Sequence, residues 1–150
     1  MPPPSFNDNI IYLTSSFAHH FSRLLTLSFQ QQEIPLTAEQ FAILALLARE
    51  DGLAQQEISK RLERDKTTIT RVLMNLKKQG LIRQQENKVD GRAKYVYLTA
   101  QGRKWQARAM QVAGALYTHV MQGISEKQIG QGVKLLQQMN AAIKPANNHL

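Results

Sequence analysis

The residues best suited to chemistry lie between Lys66 and Lys78. Ile69, Val72, Leu73 and Leu76 fall within about 100° of one another on a helical wheel, so they form one apolar stripe. With that stripe turned inward, Thr67, Arg71, Met74 and Lys78 point away, at about 160°, 200°, 140° and 180° from Ile69. Thr68, Thr70 and Asn75 flank them. These groups suit recognition rather than catalysis. Arginine can bind a guanine edge with two hydrogen bonds, and threonine offers a hydroxyl or a methyl to a base. Lys66 stands in the first turn, where unsatisfied backbone N–H groups also attract phosphate. Threonine is a poor helix former, so Thr67, Thr68 and Thr70 on an exposed face need a reason beyond surface filling. A second basic group, Lys88, Arg92 and Lys94, flanks Asp90-Gly91 in a turn. A narrow minor groove concentrates negative potential and draws in such cations, Arg92 above all.

Charge supports the same reading. The chain has 150 residues and a net charge of +8. From Lys60 to Lys104 there are 13 basic residues and four acidic ones, a net +9 that leaves the rest at −1. A basic excess confined to one segment fits a polyanion-binding surface better than a merely solvated one. There is no cysteine, which excludes disulfides, thiolate metal sites and thiol redox sensing. No apolar run approaches the roughly 18 residues that span a membrane, and Met1–Ser5 lacks the blocks of a signal peptide. The expectation is a cytoplasmic protein. No nucleophile motif, phosphate-binding glycine loop or paired carboxylate arrangement is legible, so no enzyme activity and no cofactor are expected. His19 and His20 diverge by about 100° on a helix and cannot easily share one ion, so no metal site is expected. An interface or surface position is the plain reading for them, and a part in a ligand pocket the second.

The elements that must position these groups follow from periodicity. Residues 1–7 open with three prolines and read as a flexible arm. Ile10, Leu13, Phe17, Phe21, Leu24 and Phe29, with Ile11 and Leu25, give a long helix over about 8–32. Thr37-Ala38-Glu39-Gln40 has capping-box form and opens a second helix, with Phe41, Leu44, Leu47 and Ala48 inward. A short helix at about Gln55–Leu62 precedes the helix from Lys66 to Gln79, for which Asp65 is a good N-cap and Gly80 a left-handed stop. Leu81–Gln85 and Lys94–Leu98 read as a hairpin. Thr99 caps a helix to about Gln122 with Trp105, Ala109, Val112, Leu116 and Val120 as its stripe. Ser125-Glu126-Lys127-Gln128 opens a last helix to about Ile143, striped by Ile129, Val133, Leu136, Met139 and Ile143. The fold class is mainly α with a small β wing: a helix-turn-helix followed by a hairpin, with a helical region on either side.

Five pieces stand in order and at regular spacing: Glu57-Ile58-Ser59, Asp65-Lys66-Thr67-Thr68-Ile69-Thr70-Arg71, Leu76-Lys77-Lys78-Gln79-Gly80-Leu81-Ile82, Asp90-Gly91-Arg92 and Leu98-Thr99-Ala100-Gln101-Gly102. Together they resemble the multiple antibiotic resistance regulator family, MarR. The resemblance runs over the whole chain and is most specific over Leu53–Gly102. It implies a single domain over 1–150, with a DNA-binding lobe over about 37–99 and dimerisation helices over about 8–32 and 100–143. It also implies a homodimer straddling a palindromic operator, and regulation by a small ligand, often a phenolic or other lipophilic anion. Repression of a promoter is the expected output. The DNA contacts expected are Lys66, Thr67, Thr68, Thr70, Arg71, Asn75, Lys78, Lys88, Arg92 and Lys94; the ligand-binding residues are not legible. Some relatives sense oxidants through a cysteine that this chain lacks. The rival readings are a winged-helix module that docks protein or RNA without ligand control, and a metal-dependent enzyme.

Overall fold

The computed structural model describes residues 5–86, 89, 91 and 94–144. A 3-10 turn at Phe6–Asp8 leads into α1 (Ile10–Gln31), followed by α2 (Ala38–Arg49), β1 (Leu53–Ala54), α3 (Gln55–Arg61), α4 (Lys66–Lys78), β2 (Ile82–Glu86), β3 (Lys94–Leu98), α5 (Ala100–Val120) and α6 (Glu126–Ile143). The chain forms two compact units, one up to Leu116 and one from Tyr117 onward.

The first unit holds the core. Phe29, Ile43, Leu44, Leu47, Ile58, Ile69, Leu73, Leu76, Leu81 and Val96 are buried together, so α1 through β3 share one interior. Ala109 is buried in it as well, with Trp105, Val112 and Leu116 of α5 packed at its edge. Full burial of one such leucine contributes about 1.5–3 kcal/mol, and this interior is what fixes the orientation of α4. The C-terminal half of α1 and most of α5 therefore pack on the same interior as the helix-turn-helix.

Local chemistry sets the ends of the helices. The α2 and α6 capping boxes form as expected, Thr37 with Gln40 and Ser125 with Gln128. Asn9 caps α1: its Oδ1 accepts from the backbone N–H groups of Ile11 and Tyr12. In α2 the inward residues are Ile43, Leu44 and Leu47, whereas Ala48 is exposed. Leu44 and Leu47 are thus inward as expected and Phe41 packs against the core; Ile43 and Gln40 join them, and only Ala48 of the expected stripe faces out.

The sheet has three antiparallel strands in the order β1-β3-β2. Val96 pairs with Leu53 and with Gln84, and Leu98 with Ile82. β1 has only two residues, too few for alternation to reveal it. Gly52 enters it at φ +74°, and a Cβ there would come within 2.7 Å of the Tyr97 ring. Gly102 has a stronger requirement. A Cβ at that position would lie 2.0 Å from the Leu81 carbonyl oxygen, so only glycine lets α5 start against the end of α4. Thr99 holds the same junction, donating from Oγ1 to the Gly80 carbonyl at 2.7 Å and accepting from the Gly102 N–H at 3.0 Å.

The second unit contains the end of α5 and α6. Its apolar residues are largely exposed, including Val133, Leu135, Leu136 and Ile143. No described helix is long and apolar enough to cross a membrane.

Candidate nucleic-acid interface

The α4 helix begins as its sequence requires. Asp65 Oδ2 accepts from the Thr68 backbone N–H at 3.0 Å and Oδ1 from the Thr68 hydroxyl at 2.6 Å. Those bonds, the hydroxyl's foremost, hold the Asp65 carboxyl below its usual pKa, so it is charged at neutral pH. The consequence alters two expectations. Thr68 is half-buried with its proton committed to the cap, so its hydroxyl serves the helix start rather than the outer face. The donors of the first turn are also shared with a fixed carboxylate and are not all free for phosphate.

The outward face is otherwise as the wheel placed it. Ile69, Val72, Leu73 and Leu76 are buried, and Lys66, Thr67, Thr70, Arg71, Met74, Asn75 and Lys78 are exposed. Lys66, Thr67, Thr70, Arg71, Met74 and Asn75 line one shallow depression of about 420 Å³ along the helix. Five of the ten residues singled out in the sequence thus share one surface. Lys78 lies outside it in the last turn of α4. Lys94 is exposed at the first position of β3, opposite Glu86 of β2. Lys88, Asp90 and Arg92 lie outside the described residues.

Sequence reasoning missed the residues that hold this face. Glu39 of α2 pairs with Arg71, Oε2 to Nη2 at 3.5 Å. Gln55 of α3 donates from Nε2 to Thr70 Oγ1 at 2.8 Å, and its Oε1 accepts from Gln84 Nε2 of β2 at 3.5 Å. At the other end of α4, the Gln79 side chain donates to the Pro35 carbonyl at 3.2 Å and accepts from Gln40 Nε2 at 3.4 Å. None of these pairs has a periodic signature, because each joins elements far apart in sequence. Brace contacts complete the frame. Arg61 of α3 pairs with Glu57 at 2.9 Å and with Glu50, the residue after α2, and the guanidinium holds the Glu50 carboxyl below its usual pKa. Asp51 accepts from the Leu98 N–H at 2.9 Å and from Arg103 at 2.7 Å, tying β3 to α5. The Arg83 guanidinium lies 4.3 Å from the Tyr97 ring centroid, a cation–π contact between β2 and β3.

Elsewhere, His19 and His20 lie exposed on α1 with ring centroids 5.8 Å apart. A second depression, of about 380 Å³, lies between Ser28, Gln31 and Gln32 and residues Gln111, Val112, Ala115 and Leu116 of α5.

A short helix, a turn, an exposed second helix and a hairpin, all on one interior, make a winged helix-turn-helix, and known proteins match it. The MarR family model matches residues 34–93, from the entry to α2 to the residue before β3. The transcriptional regulator HosA of Escherichia coli O157:H7 is 27% identical over 110 residues, covering 73% of this chain and 82% of HosA. The HTH-type transcriptional regulator TtmR of Methylorubrum extorquens (strain PA1) is 32% identical over 101 residues, covering 67% of this chain but only 51% of TtmR. The S. aureus MepR–DNA complex superposes with a TM-score of 0.81 at 26% identity, covering 89% of this chain and 98% of MepR. The family match spans the segment that carries α2, α3, α4 and β2, and the chain is similar there to the MarR family of winged-helix transcription regulators.

Proposed function

We propose that this regulator is a homodimeric repressor. It reads a pseudo-palindromic operator through α4 of each protomer and is released by a small lipophilic or phenolic ligand. The observation that carries the reading is the exposed α4 face, where Lys66, Thr67, Thr70, Arg71 and Asn75 share one depression while the opposite stripe is buried. A helix with that division can enter the major groove without disturbing its own core. Arg71 is the base-reading residue. Lys66, Lys78 and Lys94 act on phosphate, and Lys88 and Arg92 supply the cations of the wing, as their place in the sequence suggests. The likeness of the fold to MepR in its DNA complex supports DNA as the partner.

Dimerisation is supported by apolar faces that the chain leaves exposed on α1, at Ile10, Leu13 and Phe17, and on α6, at Val133 and Leu136. An isologous interface would use them from both protomers. Ligand control rests on the family resemblance. The amide-lined depression at Gln31, Gln32 and Gln111, with Val112 and Leu116 on its apolar side, offers such a molecule both hydrogen bonds and apolar contact. The test is binding of a randomised duplex pool, with RNA as competitor and salt as variable. Enrichment of an inverted repeat, with a steep salt slope, supports the reading. Equal binding of RNA, or recovery of no sequence, overturns it.

A further inference from the structure

Gln55 is half-buried between the wing and the recognition helix, bonded on one side to Gln84 and on the other to Thr70. A threonine hydroxyl has one proton and two lone pairs. The bond from Gln55 Nε2 occupies a lone pair, and it is the one hydrogen bond of the Thr70 side chain among the described residues. The proton is thereby turned away from Gln55, and accepting one bond strengthens the hydroxyl as a donor of the next. Thr70 sits in the same exposed depression as Lys66 and Arg71, both of which can only donate. In the major groove guanine presents two acceptors, N7 and O6, and thymine presents O4; cytosine presents only a donor, and adenine one of each.

We propose that Gln55 is a positioning residue for DNA reading: by occupying an acceptor site of Thr70 it sets that hydroxyl as a donor, and so makes the α4 face select base edges rich in acceptors, guanine foremost. The proposal rests on α4 being the base-reading helix. It assigns the sense of the readout to a residue outside α4 and gives the wing strand β2, through Gln84, a route to that readout.

The test starts from a duplex selected by the parent protein out of a randomised pool. All four base pairs are then placed at each half-site position, and affinity is measured for the parent and for Thr70→Val, Thr70→Ser, Gln55→Ala, Gln55→Glu and Arg71→Ala. The readout is the ratio of affinities between base pairs, in which any uniform loss from added charge cancels. Thr70→Val is expected to lower the preference for an acceptor edge at one position about fivefold, the value of one neutral hydrogen bond, and Thr70→Ser to restore it. Gln55→Ala should weaken the same preference. Gln55→Glu should turn it toward adenine or cytosine, because a carboxylate takes the Thr70 proton and leaves only lone pairs facing the DNA. If Gln55→Glu fails to fold, Gln55→Ala decides alone. Parent-like ratios in the Gln55 variants overturn the proposal, as does a loss in Thr70→Val that is equal for all base pairs, the mark of a phosphate contact. Should Arg71→Ala also leave every ratio unchanged, α4 itself is not the reading helix, and the failure lies there rather than with Gln55.

Discussion

Helices α4 and α6 are built alike and end up in opposite circumstances. Each opens on a capping side chain, Asp65 or Ser125, and each carries an apolar stripe at helical spacing. In α4 the stripe is sealed: Ile69 is 2% exposed and Leu76 0%. In α6 no residue is buried, and Val133 and Leu136 stand 48% and 39% exposed. A stripe in the sequence thus states that an apolar surface must be covered; it does not state by what. In α4 the covering comes from α2, α3 and the sheet, which frees the opposite face to carry Arg71 and Thr70. In α6 the stripe stays uncovered among the described residues, and it is the surface that the proposed second protomer would cover.

The largest effect should come from denying α6 and α1 their partner. Phe17→Glu combined with Leu136→Glu is expected to give a monomer that keeps its helical circular dichroism and loses about a hundredfold or more in operator affinity, since two linked half-sites bind far better than one. Phe17 is chosen because it is exposed, whereas Phe21 packs against the core. A variant that still sediments as a dimer would show that the exposed stripes are not the interface. Next in size is the sealed stripe. Leu76→Ala should cost about 2–5 kcal/mol of stability by opening a cavity, read by denaturant unfolding. A loss as small as that from Leu136→Ala would erase the contrast between the two helices.

The outer face of α4 sharpens the comparison, because its residues should matter to DNA and hardly at all to folding. Arg71→Ala should cost about 1–3 kcal/mol on the selected operator and relax the preference at one position per half-site. Glu39, its ion-pair partner at 3.5 Å, is itself exposed and solvent-screened, so thermal stability should hardly change. Lys78→Ala should weaken all sequences alike and lower the salt slope by about one. Affinity titrations on the operator and on random duplex DNA, at two salt concentrations, check both. Equal loss on the two DNAs in the Arg71 variant would move Arg71 from reading to phosphate contact.

Much of this architecture could be read from the chain, and the reasons for the rest are specific. Helix starts were legible where a cap and its partner lie three residues apart, as in Thr37–Gln40 and Ser125–Gln128, because both halves of the device are local. The α4 stripe was legible because four apolar residues share one arc. β1 was not, since two residues carry no alternation. Its presence is decided by Val96 across the sheet. Nor were Gln55, Glu39 and Gln79, whose partners lie 15, 32 and 44 residues away. Thr68 was placed on the flank of the DNA face by its angle alone. The angle was right, but the Asp65 carboxylate beside it takes the hydroxyl proton, and a helical wheel does not record hydrogen bonds.

That last contact leads to the smallest predicted effect and the one with the clearest sign. The folded-state pKa of Asp65 is depressed, chiefly by the Thr68 hydroxyl and then by the Thr68 N–H. A depressed carboxylate contributes stability that is present above its unfolded pKa, about 4, and is lost as pH falls through the lower folded value. Asp65→Ala should therefore melt a few degrees below the parent at neutral pH, with the gap closing in the acid range below about pH 4. Asp65→Asn separates cap from charge. Asparagine caps as well as aspartate, so its neutral-pH melting temperature should match the parent's while the acid dependence from this site disappears. It also removes a negative charge from the end of α4 that would face phosphate, and affinity should rise slightly on operator and random DNA alike. Thermal melts across pH 3–7 and one titration on each DNA measure this. An Asp65→Asn protein that binds DNA less tightly would mean that the carboxylate orients the DNA face through Thr68, so that cap and interface could no longer be treated as separate.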